Sequence, residues 1–105
     1  MEGLDKYDYL GVRDLGRLTP GEVHPEHFRM LVEVSSIYSP KIIMAMEDCL
    51  VRGFSRKIAC EKHGVSTAYM SIAMRKIQTL SRAVVMMYPY YVTHASVYPS
   101  LHRVD

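Results

Sequence analysis

Between residues 55 and 80 the chain carries a pattern of punctuation that few folds accommodate. Ser55 is a good helix cap, Arg56 to His63 reads as a short helix, and Gly64 stops it. Only two residues later Ser66 caps a second helix, in which Met70, Ala73, Met74, Ile77 and Leu80 fall on one face. Helices joined by so short a turn must cross closely. The crossing needs a small residue in the first helix, a glycine four residues on that accepts a left-handed turn, and apolar residues inside the second. Cys60, Gly64, Val65, Met70 and Ala73 meet those packing requirements. With Met70 and Ala73 turned inward, Thr67, Ala68, Tyr69, Ser71, Ile72, Arg75 and Lys76 form the outer and flanking surface of the second helix. Arg56 and Lys57 stand at the start of the first, where backbone amides also attract phosphate. The pattern is that of a helix-turn-helix, although a plain helical hairpin carries the same punctuation.

The rest of the chain reads as helical too. Thr19-Pro20-Gly21-Glu22 resembles a helix start but Pro25 interrupts it, so the first helix is predicted to begin at Pro25, with Phe28, Leu31, Val32 and Ser35 on one face. Ser39-Pro40 starts a second helix of about three turns, with Ile42, Ile43, Met46, Cys49 and Leu50 at helical spacing and Gly53 as its stop. Tyr88-Pro89 closes the last periodic run, and the aromatic, proline-containing stretch from Tyr90 to Asp105 reads as loop or short extended contacts. No alternating strand, internal repeat or low-complexity tract interrupts this. The expected architecture is all-α: one small bundle of four to five helices over residues 19–91, preceded by a flexible arm, residues 1–18, and followed by a tail, residues 92–105.

Charge separates the two halves. Residues 1–51 carry five Lys/Arg against nine Asp/Glu, net −4, whereas residues 52–82 carry Arg52, Arg56, Lys57, Lys62, Arg75, Lys76 and Arg82 against Glu61 alone, net +6. Residues 83–105 balance Arg103 against Asp105. A basic segment that coincides with the two-helix pattern is the footprint of a surface for a polyanion. Arg56, Lys57, Lys62, Thr67, Tyr69, Ser71, Arg75 and Lys76 are therefore the candidate contacts to double-stranded DNA. A rival reading keeps the same scaffold but gives it an acidic protein partner.

Other classes find little support. No segment approaches the roughly 20 apolar residues of a membrane span, and Asp5 and Asp8 break the order of a signal peptide, so the expected location is the cytoplasm. Cys49 and Cys60 lie in helical segments, as buried thiols do. His24 with His27, and Cys60 with His63, have ligand-like spacing but no third and fourth ligand in register, so no metal is expected. Neither a nucleophile, base and carboxylate motif nor a glycine-rich phosphate loop occurs, which argues against an enzyme, a cofactor or a small-molecule substrate. Val84-Val85-Met86-Met87 with Tyr88, Tyr90 and Tyr91 is expected to be buried, within the subunit or against another.

Several short motifs also carry a family likeness. The run Val34-Ser35-Ser36-Ile37-Tyr38-Ser39, Ile42 with Ala45-Met46-Glu47-Asp48, Leu50-Val51-Arg52-Gly53, Ser55-Arg56-Lys57, Cys60-Glu61-Lys62 and Pro89-Tyr90-Tyr91 resembles the PapB family of fimbrial (pilus-adhesin) operon regulators over about residues 19–91. The resemblance implies a helical DNA-binding protein of enterobacteria that controls transcription of adhesin genes, binds AT-rich DNA with minor-groove contacts and assembles as a homo-oligomer along it. Tyr38 stands where relatives often have His, Met70 follows Tyr69 where Phe is usual, and Gly64-Val65-Ser66 is a more orthodox turn than many of them show.

Overall fold

A computed structural model describes residues 15–97. Four helices follow one another: α1 (Pro25–Val34), α2 (Pro40–Leu50), α3 (Arg56–His63) and α4 (Thr67–Val97). No strand occurs among the described residues. The all-α reading therefore holds, and the starts at Pro25, Pro40 and Arg56 are those the sequence predicts. Caps explain them. Ser39, Ser55 and Ser66 accept from the amides of Ile42, Ile58 and Tyr69 at 3.4, 3.1 and 3.0 Å. At α1 the role falls to His24, whose Nδ1 accepts from Glu26 N at 3.0 Å. Proline opens α1 and α2, where its missing N–H would have had no helical partner.

α2 lies at the centre and packs against the other three helices. Its Ile42, Ala45 and Met46 are fully enclosed, by Phe28 and Leu31 of α1, Ala59 and Cys60 of α3, and Met70, Ala73, Met74 and Ile77 of α4. Each apolar side chain of Leu or Ile size withdrawn from water contributes about 1.5–3 kcal/mol.

Two sequence expectations change. Residues 1–14 of the expected flexible arm lie outside the described residues, but 16–18 are held against α4. Leu18 is buried, its N–H donates to Gln78 Oε1 at 2.9 Å, and Gln78 Nε2 donates to Gly16 O at 2.7 Å. A Cβ at Gly16 would come within 3.1 Å of the Arg82 backbone, so glycine allows the close approach. The second change is at Pro89, which does not end α4; the helix runs on to Val97, taking in residues read as loop or tail. A proline removes one N–H and displaces the carbonyl four residues back. Here that cost falls on an exposed stretch where water can satisfy the freed group. Residues 98–105 of the expected tail lie outside the described residues. The same overshoot leaves Val84, Met86, Met87, Tyr88, Tyr90, Tyr91 and Val92 exposed and Val85 half-buried, so among the described residues this run is not buried within the subunit as expected. Ser81 is the last buried residue of α4 among the described residues.

The last turn of α2 is tied on two sides. Its carbonyls at Cys49 and Leu50 accept from Gly21 N, and that of Leu50 also from Val23 N, at 2.9–3.0 Å. Gly21 and Gly53 both have φ near +80° and lie back to back, a Cβ on Gly21 falling 3.2 Å from the Gly53 Cα. On the other side Asp48, almost fully buried, binds α3: Oδ2 lies 2.7 Å from His63 Nε2 and 3.5 Å from Lys62 Nζ, while Oδ1 accepts from Arg52 at 2.7 Å. Burial alone would push this carboxyl up. The His63 hydrogen bond, the Lys62 charge and the Arg52 hydrogen bond outweigh it, and the pKa falls below its ordinary 3.8.

A carboxyl whose folded pKa is depressed contributes stability that is present above its unfolded pKa and lost as pH falls through the folded one. Asp48→Asn should therefore lower stability at neutral pH by about 1–3 kcal/mol. The gap from the parent protein should narrow below about pH 4. Denaturant melts of both proteins from pH 7 to pH 2 check this, and a gap that stays constant would refute the clamp. Gln78→Ala should free residues 16–18 at a cost of about 1–2 kcal/mol. Hydrogen exchange reads it directly: the Leu18 amide should lose protection while those of α2 keep theirs.

Candidate nucleic-acid interface

The geometry of this surface begins at the turn between α3 and α4. Gly64 takes φ +70° and ψ 38° as the left-handed cap of α3. A Cβ there would meet nothing within 4 Å, so backbone conformation, not space, calls for glycine. Val65 N donates to Cys60 O at 3.0 Å, and the Val65 side chain packs against the core. Cys60 is buried beneath the turn with Sγ 3.9 Å from Ser66 O, and Met70 and Ala73 are buried behind it. Cys49 and Cys60 are free thiols. Burial, then the neighbouring Cys60, pushes the Cys49 thiol up, which leaves it un-ionised and suited to packing.

Two arginines converge in front of this scaffold. Arg56, the first residue of α3, donates from Nη1 to Ser71 Oγ at 3.4 Å. Arg75 lies one turn beyond Ser71 on the same face of α4. Together with Gln78 they edge a cleft of about 340 Å³ whose inner wall is apolar, formed by Leu18, Leu50, Met74 and Ile77. The result is a polar, cationic rim over a wall that cannot hydrate it, beside the free amides at the start of α3.

The other candidate residues distribute around this centre. Lys57, Thr67, Tyr69 and Lys76 are exposed. Lys62 is not brought to the cleft: it sits near the opposite end of α3, its ammonium beside Asp48 and 5.4 Å from the centre of the Phe54 ring. There it lines a separate depression with Met44, Glu47, Arg52 and His63. His63, considered above as a metal ligand, is engaged by Asp48, and no group of three or more His, Cys, Asp or Glu among the described residues is disposed to hold a metal. Sequence reasoning missed Leu18 and Gln78. Gln78 could have been found, because it lies seven residues after Ser71 and three after Arg75 and so shares their side of α4. Leu18 carries no local signal for its role. No helix among the described residues is long and apolar enough to cross a membrane.

Comparison with known proteins places this geometry in a lineage. The family model described as PapB, adhesin biosynthesis transcription regulatory protein, matches residues 2–91. Among curated proteins, the chain is 37% identical over 91 residues to the AFA-III adhesin operon regulatory protein of Escherichia coli, covering 87% of this chain and 90% of that one. It is 37% identical over 81 residues to the major pilus subunit operon regulatory protein PapB of Escherichia coli, covering 77% and 78%. The crystal structure of Escherichia coli FocB superposes with a TM-score of 0.68 at 36% identity, covering 83% of this chain and 98% of that one. These relatives are regulators and not enzymes. On the family match and on identities sustained over most of both chains, this protein belongs to the PapB family of adhesin biosynthesis transcription regulatory proteins.

Proposed function

We propose that the chain regulates transcription of a fimbrial or adhesin operon by binding double-stranded DNA through α3, the Gly64–Ser66 turn and α4 used as a helix-turn-helix. The observation that carries this reading is the convergence of Arg56 and Arg75, from two helices, on one cleft with Ser71. An arginine pair held at a helix start suits the oxygens of a backbone phosphate. Lys57 and Lys76 add charge beside it, and Thr67, Tyr69 and Ser71 supply hydroxyl groups. Lys62 has the smallest part, because its ammonium already faces Asp48. The names of the relatives favour an operon as the target. AT-rich DNA and a location in the cytoplasm complete the proposal.

The protein acts in several copies in this reading. A single helix-turn-helix reads few base pairs, so specificity calls for a second one alongside. The exposed Met and Tyr side chains at the end of α4 supply an apolar surface for another copy, and the acidic first half could meet a neighbour's basic half.

Salt dependence tests the DNA reading against that of an acidic protein partner. Affinity for an AT-rich duplex should fall steeply with salt, and Arg56→Ala and Arg75→Ala should each weaken binding to all sequences while reducing the slope by about 1. Both side chains are exposed, so thermal melts of the variants should match the parent. Failure to bind duplex DNA at any salt would leave the protein-partner reading. Footprinting on a long fragment with adjacent sites checks assembly: protection should extend cooperatively from site to site, and independent filling would count against it.

A further inference from the structure

The inward stripe of α4 outlasts the core it serves. Met70, Met74, Ile77 and Ser81 are buried, and at about 100° per residue the same line continues through Val85, Tyr88 and Val92, with Val84 and Tyr91 on its flank. Val85 is half-buried and the other four are exposed among the described residues. A single apolar side chain on a surface needs no explanation, but a row of them on one face, in register with the core, forms a patch of the kind that another segment covers. The lead-in reaches this patch. The Leu18 N–H is held by Gln78, and two residues earlier Gly16 lies against the next turns of α4, where a Cβ would come within 3.1 Å of Arg82 Cα and of Val85 Cγ2. Followed towards its N-terminus, the chain therefore advances along α4 in the direction of Tyr88.

We propose that residues 1–14 of the same chain dock on this stripe and extend the core over Val85, Tyr88 and Val92. The described chain arrives on the stripe at Gly16, so the residues before it start from there, at an effective concentration on the order of millimolar. They also reach far enough. Val85 to Val92 is roughly 10 Å along the helix axis, whereas a segment of this length spans about 20 Å even when wound as a helix. Its composition fits an apolar surface edged by a cation: Leu4, Tyr7, Tyr9, Leu10 and Val12 supply the apolar side chains. Glu2, Asp5, Asp8 and Asp14 against Lys6 and Arg13 give it a net charge of −2, and Arg82 stands at the edge of the stripe beside Gly16. Met86, Met87 and Tyr90 lie on the other side of the helix and stay open to a second copy. Nothing in this docking requires that the protein bind DNA.

The experiment follows methyl contacts and amide exchange of the full chain by NMR. In the parent, nuclear Overhauser contacts should link the methyl groups of Leu4, Leu10 or Val12 to those of Val85 or Val92. In a mixture of labelled and unlabelled chains, these contacts should arise within one molecule. Tyr7→Ser combined with Leu10→Ser should speed exchange at the Tyr90, Tyr91 and Val92 amides by about tenfold, the factor that corresponds to one side chain of Leu size returned to water. The Met46 and Ile77 amides, in the core, should keep their protection, and the parent's protection at the end of α4 should not change on dilution. Contacts between different chains, or protection that falls on dilution, would give the stripe to a second copy and overturn the proposal. Absence of these methyl contacts from the parent would leave the stripe in water and overturn it as well, whatever the stability of the variant. Unchanged exchange at Tyr90, Tyr91 and Val92 in the variant would show that the segment covers nothing there, with the same result.

Discussion

A helix that ends inside a protein must find donors for its last carbonyls, and α2 finds them in the chain that precedes α1. Gly21 and Val23 donate to Cys49 and Leu50, which fixes the N-terminal lead-in across the end of the central helix. The contact depends on two backbones meeting without side chains between them, at Gly21 and Gly53. In the same turn Asp48 points the other way, into His63, Lys62 and Arg52. A carboxylate near the negative end of a helix is unfavourable by itself, and three cationic or donor groups are drawn to it for that reason. The end of α2 thereby fixes where α3 lies, and the turn at Gly64 then fixes the direction of α4.

The cationic cleft follows from that chain of constraints. Arg56 and Arg75 are 19 positions apart and on different helices, so their approach depends on the crossing at Cys60 and on the placement of α3 by Asp48. The lead-in closes the third side, since Leu18 lies on the inner wall and is held by Gln78. Residues that touch no proposed ligand thus determine the spacing of the two guanidinium groups.

Local signals were the legible part of this fold. Ser55, Gly64 and Ser66 marked α3 and the start of α4 because caps and left-handed turns are chosen by residue type within a few positions, and the inward set Met70, Ala73, Met74 and Ile77 followed from period alone. The attachment of residues 16–18 was not legible, because hydrogen bonds spanning about 60 positions leave no period. Pro89 misled for another reason. Its penalty is a few kcal/mol and context decides whether a helix bears it, so a strong local signal was overridden. Among the candidate site residues, Arg56, Ser71 and Arg75 come together, whereas Lys62 was grouped with them by charge although its place on α3 turns it toward Asp48.

α4 joins two surfaces that have different needs. Up to Ser81 it supports the core on one side and presents Ile72 and Arg75 on the other; from Met86 to Val92 its large apolar side chains are exposed among the described residues. Both lie on one continuous helix, and 16 residues separate Ile72 from Tyr88. At 1.5 Å per residue they stand roughly 24 Å apart along the axis. In the proposed assembly, a second copy held at Tyr88 would sit at a distance from the first copy's DNA-binding surface set by a helix and not by a linker. A rigid spacing restricts which pairs of sites two copies can occupy together, because sites on DNA present the same face only once per helical turn. The exposed end of α4 would then help select the sites while making no contact with a base.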